Sequence, residues 1–595
     1  MIPQVWAPRA TVVALVGRDD QPLAVMRPAP DGWWTAEDDL PDGTDYGYRL
    51  DDGPVRPDPR SAWQPEGVHG LSRVFETGTY RWRDGGWSGV DARGAVTYEL
   101  HVGTFTPEGT LAAAANRLEH LVELGVDLVE LMPLAAFDGR HGWGYDGVAP
   151  YAVHQAYGGP AALQAFVDAA HGVGLGVCLD VVYNHLGPSG NYLSEFGPYF
   201  TDRHRTPWGD AVNLDGPGSQ HVRRWIVDNA RRWFTDFHVD ALRLDAVHTL
   251  QDSSPVHVLA ELSTQVQRLS RRLGRPLSLV AESDLDDVVT VEPVESGGWG
   301  LTGQWDDDVH HAVHALVTGE RQGYYVDFGT PGVLGTVLTG AFRHTGGWST
   351  FRARPWGRPV PDDVDGHRFV VAGSTHDQVG NRALGDRPSA HLDGGALAAE
   401  AALVLLSPYS PMLFMGEEWG AGTPFQYFTD YSDPELGRAV RDGRRAEFDG
   451  HGDAEVYGGP VQVPDPQDVA TFLASKLDWQ ELTRPDHARL LDWYRQLIAL
   501  RRAVPDLGNG DRSATCLEFD PETAAEGPYA GWLVMGRGDA RVVVNLAAGP
   551  VDVPVTAPRL PVSVRAAWAA GTQVGVALAG VLPVRVPARS VVVLA

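Results

Sequence analysis

From about residue 95 onward, short apolar runs alternate with stretches of helical spacing, and four of those runs end in polar residues able to do chemistry. Tyr98 to Val102 reads as a strand, Leu111 to Leu124 as a helix, and Leu128 to Met132 as the next strand. Helices at Pro160 to His171 and Ser219 to Phe237 continue the alternation. Repeated strand-helix units demand a parallel sheet covered by helices, and eight of them close a (β/α)8 TIM barrel. The four runs are Leu175 to His185, Val239 to Ala246, Leu277 to Asp284 and Phe369 to Arg382. In such a barrel the C-terminal strand ends share one face, so Asp245, Glu282 and Asp377 meet despite gaps of 37 and 95 residues. Arg243 and Asp245, two apart on one strand, point to the same side. Taken alone, that pair also reads as a strand-end salt bridge.

At 595 residues the chain is too long for one core and suggests about three or four domains. Residues 1–90 are short alternating stretches broken by Pro-Asp-Gly turns, the pattern of a β-sandwich. The barrel is expected over 95–500, about 400 residues against the ~250 of a plain barrel, so long loops must be inserted at 186–218 and 417–478. From 505 to 595 the chain alternates again, as in Arg541 to Asn545 and Ser590 to Leu594, which predicts a C-terminal β-sandwich. The expected fold class is multidomain α/β, with a central barrel and a β-sandwich at each end.

The order and content of the four runs resemble the α-amylase superfamily of glycoside hydrolases and transglycosidases. The resemblance implies Asp245 as nucleophile, Glu282 as general acid/base and Asp377 as the transition-state-stabilising carboxylate. It further implies that Arg243 sits beside the nucleophile and that His185 and His376 contact the sugar. Tyr145, in His141-Gly-Trp-Gly-Tyr-Asp146, would be the platform beneath it. Asp180 joins the binding set, with a supporting hydrogen-bonding role shared with Asn184 as its other reading. The asparagine at the Asn184 position binds calcium in many α-amylases, but no dedicated acidic calcium loop is visible, so neither metal nor cofactor is expected. Thr375 stands where many relatives carry Asn, which alters one local hydrogen bond rather than the carboxylate set. Residues 1–90 resemble the immunoglobulin-like module that precedes the barrel in branching and trehalose-forming members.

These residue types match the chemistry. Glycosidic cleavage passes through an oxocarbenium-like state, which needs one carboxyl to protonate the leaving oxygen and one carboxylate to trap the anomeric carbon, roughly 5–5.5 Å apart in retaining enzymes. A cation beside the nucleophile favours its ionised form, and a like charge near the acid keeps that group protonated.

Specificity rests on the loops. Glu99 to Glu108 and Gly142 to Gly147 are shared in spirit by branching enzymes and malto-oligosyltrehalose trehalohydrolases. Thr375 to Arg382, Met415 to Asp430, and Val463 to Asp468 followed by Ser475 to Trp479 are similar to the trehalohydrolases and unlike branching enzymes. The resemblance therefore implies cleavage of the α-1,4 bond next to a terminal trehalose in maltooligosyltrehalose and related α-1,4-glucans. It also raises functional coupling to a maltooligosyltrehalose synthase. Trp208, Glu417, Gln426 and Tyr427 are candidates for the acceptor subsites because their loops should border the cleft; loop packing is their alternative role. A 1,4-α-glucan branching enzyme, or another glucan hydrolase of the superfamily, is the second reading. A catalytically inert glucan-binding member is the third, and the intact carboxylates and Arg243 count against it.

Acidic residues outnumber basic ones 77 to 48, a formal charge of −29, which argues against nucleic acid or an anionic membrane as partner. The 19 Trp and 18 Tyr offer faces for stacking on sugars, most of them expected in the core. Only Cys178 and Cys516 are present, far apart, which fits a reducing cytoplasm rather than a disulfide framework. The start, Met1 to Asp20, lacks a basic n-region and reads as a strand rather than a signal peptide. No apolar run reaches membrane-spanning length.

Overall fold

The computed structural model describes residues 1–448, 457, 459, 461–523, 527–556 and 562–595; the rest of the expected 417–478 loop lies outside the described residues. Eight parallel strands close a barrel in chain order: Thr97–Leu100, Leu128–Leu131, Gly176–Val181, Ala241–Leu244, Ser278–Ala281, Gly303–Trp305, Phe369–Ala372 and Ser410–Phe414, the last pairing with the first. They are called barrel strands 1 to 8 below. Every residue in them is buried, because helices cover the outside while side chains fill the inside. Near-continuous apolar runs are what that double burial selects.

The period-two alternation of each strand builds the interior in layers. Leu128, Cys178, Ala241, Val280, Trp305, Val370 and Met412 form an apolar cluster inside the barrel. Two residues further along strands 2, 3 and 4, on the same face, come Glu130, Asp180 and Arg243, with Asp180 directly opposite Arg243 across strands 3 and 4. The barrel is thus apolar toward its base and charged toward its C-terminal mouth.

Outer helices include Gly159–Gly172, Ser219–Asp236, Val258–Leu273, Gly394–Leu405 and Pro485–Ala503. The expected single helix over Leu111 to Leu124 is two, Leu111–Ala115 and Leu118–Leu124. Asn116 ends the first by donating its N–H to Ala113 O, and Arg117, outside the helical region, starts the second.

Sheets flank the barrel at both ends of the chain. Residues 4–73 form a three-stranded and a five-stranded sheet, and Trp6 from the first stacks on His221 of the barrel helix Ser219–Asp236 at 4.6 Å. Residues 515–594 form a five-stranded and a three-stranded sheet. In Ala540–Asn545 all six residues are buried: Val543 faces the three-stranded sheet, while Val542 and Val544 join the main core. The chain therefore folds as a TIM barrel with β-sheet regions at both termini. Among the described residues no helix is long and apolar enough to cross a membrane.

Candidate active site

The tails of barrel strands 3, 4 and 5 converge on one guanidinium. Arg243 is fully buried, and its Nη1 donates to Asp180 Oδ2 at 2.8 Å and Asp245 Oδ1 at 2.9 Å. Its Nη2 lies 2.7 Å from Glu282 Oε2. A planar guanidinium offers five donors in a fixed fork that can hold several carboxylates in set directions, whereas a lysine would be a single rotatable point charge. The guanidinium also sits over the Trp305 ring, 4.3 Å from its centroid.

The backbone completes the cluster. Asn184 Nδ2 donates to the Asp245 carbonyl oxygen at 2.6 Å and to Asp245 Oδ2 at 2.7 Å. Ala246, at φ 39°, holds a left-handed conformation costly for a residue with a Cβ, and its N–H donates to Glu282 Oε2 at 2.8 Å. That turn ties Glu282 to the chain segment that carries Asp245.

Asp377 arrives from strand 7 on the first turn of a short helix, His376–Gly380. Thr375 caps it: the Thr375 hydroxyl accepts the Asp377 N–H at 3.2 Å, and Gln378 Oε1 accepts the Thr375 N–H at 2.8 Å. His376 Nε2 lies 3.5 Å from Asp377 Oδ1. The His376 ring stacks on Tyr145 at 5.0 Å, and the Tyr145 hydroxyl donates to Asp180 Oδ2 at 2.6 Å. Tyr145 follows Gly144, at φ 102°, where a Cβ would lie 2.3 Å from the Pro133 carbonyl oxygen. His185 contacts Asn184 Oδ1 and, through Nε2, the Tyr145 carbonyl oxygen at 3.0 Å.

Burial and charge set the protonation pattern. Burial pushes the Asp180 carboxyl up to about 7, although Arg243 pulls it back. Burial lowers His185. For His376 burial also acts downward, but Asp377 and Glu99 outweigh it and hold the ring up to about 10, an imidazolium at neutral pH.

Glu282 and Asp377 face a cavity of about 320 Å³ whose wall includes Asp307, Tyr324, Phe351 and Arg352. A larger groove of about 500 Å³ lies between helices Ser219–Asp236 and Val258–Leu273 and contains none of these groups, so size does not mark the site here.

Of the loop candidates, Trp208 reaches the cluster, its ring stacked on His185 at 4.2 Å and half exposed. Glu417 turns into the protein, where its carboxylate accepts from the Tyr494 hydroxyl at 3.0 Å and is pushed up to about 7 by burial. Gln426 donates to Leu384 O at 3.1 Å, and Tyr427 packs edge-on against Trp143 at 5.2 Å. Among the described residues no group of three or more His, Cys, Asp or Glu is arranged to hold a metal ion.

The alpha amylase, catalytic domain, family model matches residues 74–206. A malto-oligosyltrehalose trehalohydrolase from Arthrobacter ramosus is 54% identical over 556 residues, covering 92% of this chain and 93% of that protein. The enzyme of that name from Rhizobium sp. (strain M-11) is 52% identical over 557 residues, covering 92% and 91%. The chain belongs to the malto-oligosyltrehalose trehalohydrolase family. In structure it is similar to a Salmonella typhimurium protein assigned to the alpha amylases, with a TM-score of 0.85, 37% identity, and 100% and 97% of the two chains covered.

Several residues of this trehalohydrolase-family site had no signal of their own in the sequence. Ala246 gave none, because an alanine at positive φ is visible only in the backbone. Tyr324, Phe351 and Arg352 belong to connections between strands 6 and 7. Asp307 had a usable signal: Trp305-Asp-Asp-Asp308 ends strand 6 as the four recognised runs end theirs. Its carboxylate opens to the cavity yet is ringed by protein, and burial followed by Glu282 and Asp377 pushes it up to about 7.

Proposed function

We propose that the protein is a retaining glycoside hydrolase that cuts the α-1,4 bond next to the terminal trehalose of maltooligosyltrehalose, releasing trehalose and a maltooligosaccharide. The observation that carries this is the convergence of Asp245 and Glu282 on Arg243 at the barrel mouth, in a chain related over nine-tenths of its length to trehalohydrolases.

In this reading Asp245 attacks the anomeric carbon while the bond to the leaving oxygen breaks, and Glu282 gives its proton to that oxygen. Water then attacks the glycosyl-enzyme, returns a proton to Glu282 and frees Asp245. Asp377 and the His376 imidazolium bind the sugar hydroxyls, Tyr145 underlies the ring, and His185 with Trp208 closes the other side. Tyr324, Phe351 and Arg352 line the cavity on the Glu282 side, where the leaving group departs, and are proposed to receive the trehalose end. Arg352 is held there by an ion pair with Asp284.

A cytoplasmic location and coupling to a maltooligosyltrehalose synthase belong to the same proposal. The two cysteines are free, and a trehalose-ended glucan must come from an enzyme that makes one.

The test is product analysis after separate incubation with maltotriosyltrehalose and maltopentaose. Fast trehalose release from the first, with the second barely touched, supports the reading; comparable cleavage of both, or new α-1,6 branches on a longer glucan, overturns it. Glu282→Gln should abolish turnover and keep glucan binding.

A further inference from the structure

Barrel strand 1 supplies a carboxylate that the reaction above does not use. Glu99 is fully buried, 277 residues away in sequence from its partner. Its Oε2 accepts the backbone N–H of His376 at 3.0 Å, and its Oε1 accepts from His376 Nδ1 at 2.5 Å. We propose that Glu99 is a positioning residue: by gripping His376 at both backbone and ring, it fixes the ring so that Nε2–H faces Asp377 and the sugar pocket. This inference rests on the glycosidase reading of the site.

A single ring contact would leave the imidazole free to turn, whereas two contacts to one carboxylate fix both the start of the helix His376–Gly380 and the ring angle. Second partners of this kind set which ring nitrogen carries a proton. A neutral ring donating from Nδ1 has no hydrogen on Nε2, so the Nε2–H donor requires the imidazolium. Burial opposes that charge. From strand 1, Glu99 favours it, as does Asp377 on the same helix; Arg243 on strand 4 disfavours it. Asp180 on strand 3 also feels the ring's charge. His101, just past strand 1, is pressed down to about 3 by burial and adds no charge at neutral pH. Tyr145, Trp143 and Trp305 enclose the ring. Glu130, opposite Glu99 in the strand pairing, is pushed up to about 8 by burial and then by Glu99 itself. Glu130 is therefore protonated at pH 7.

The test uses full-length protein labelled at histidine Cε1, with the His376 resonance assigned from a His376→Gln sample. In the wild type that resonance is expected to stay imidazolium past pH 9; in Glu99→Gln it should titrate near or below 6.5. With a ring pKa near the usual 6.5, trehalose release by Glu99→Gln should show an extra loss of about 25-fold in kcat/KM between pH 6 and pH 8. Glu99→Asp, which keeps the charge, should return the profile toward wild type. A wild-type His376 titrating near 6.5, or profiles that superimpose for wild type and Glu99→Gln, would overturn the proposal. The wild-type titration needs neither the variants nor turnover. A protein that releases no trehalose would sink the functional reading while the His376 titration still decides the role of Glu99.

Discussion

Replacing Arg243 with Met should convert the centre of the site from a neutralised cluster into three facing carboxyls. Arg243 meets Asp180, Asp245 and Glu282 at 2.7–2.9 Å. At an effective dielectric of about 20 each contact is worth roughly 4 kcal/mol of gross attraction, opposed by the desolvation of a fully buried cation. Removing one partner of such a buried set costs about 3–5 kcal/mol net at pH 7, because the remaining charges are stranded. The carboxyls escape by taking up protons. Asp180, already pushed up to about 7 by burial despite the cation, should go first. A carboxyl whose folded pKa lies above its unfolded value stabilises fully below the unfolded pKa, and that stability is lost as pH rises toward the folded pKa. The deficit of Arg243→Met should therefore be largest at pH 7–8 and shrink toward pH 5, by about 1.4 kcal/mol per pH unit for each carboxyl protonated. For 595 residues an unfolding entropy of about 1.2 kcal/mol per kelvin turns 4 kcal/mol into a fall in Tm of ~3 °C at pH 7. Calorimetric scans of wild type and variant at pH 5 and pH 7 read this directly. A deficit of equal size at both pH values, or none at pH 7, would refute the view that Arg243 neutralises this cluster.

Other substitutions probe single links. Ala246→Gly should relieve the positive φ and raise stability by about 0.5–1 kcal/mol, seen as a higher midpoint in urea; a lower one would mean that the alanine methyl packs more than the backbone strains. Thr375→Ala removes the cap that aims Asp377 and should cost about 1 kcal/mol in the same denaturation, together with a drop in kcat. Trp208→Ala, at a half-exposed ring, should raise KM and leave Tm within about 0.5 °C; an unchanged KM would exclude sugar contact. In native protein one thiol, Cys516, should react with a disulfide reagent, and both should react after denaturation, because Cys178 is sealed in the barrel interior with its thiol held well above the usual range by burial.

Much of the candidate site was legible because its residues stand at strand ends, where period-two alternation and parallel topology dictate a shared face. Arg243 lies on strand 4 and Asp245 just past its end, Asp180 lies near the end of strand 3, and Glu282 directly follows strand 5. The loop residues were not legible in this way. Trp208 and Glu417 looked alike as loop candidates, yet one stacks on His185 and the other turns inward to Tyr494. Nothing local in either segment separates them, since a loop's direction is set by what it packs against. Glu99 had no local signal of a role, because its grip on His376 closes a gap of 277 residues that only barrel closure can bridge.

The sequence by itself determined the layer plan: alternating strands and helices that must close a barrel, flanking stretches that must form sheets, and the strand ends that must carry the carboxylates. Those follow from periodicities of the chain. The tertiary structure decided which carboxyls share Arg243, which rings stack around Tyr145 and His376, and where Asp307 and Arg352 stand, because they depend on packing between segments far apart in the chain. Their protonation states were decided there too, since burial and neighbouring charge exist only once those segments have met.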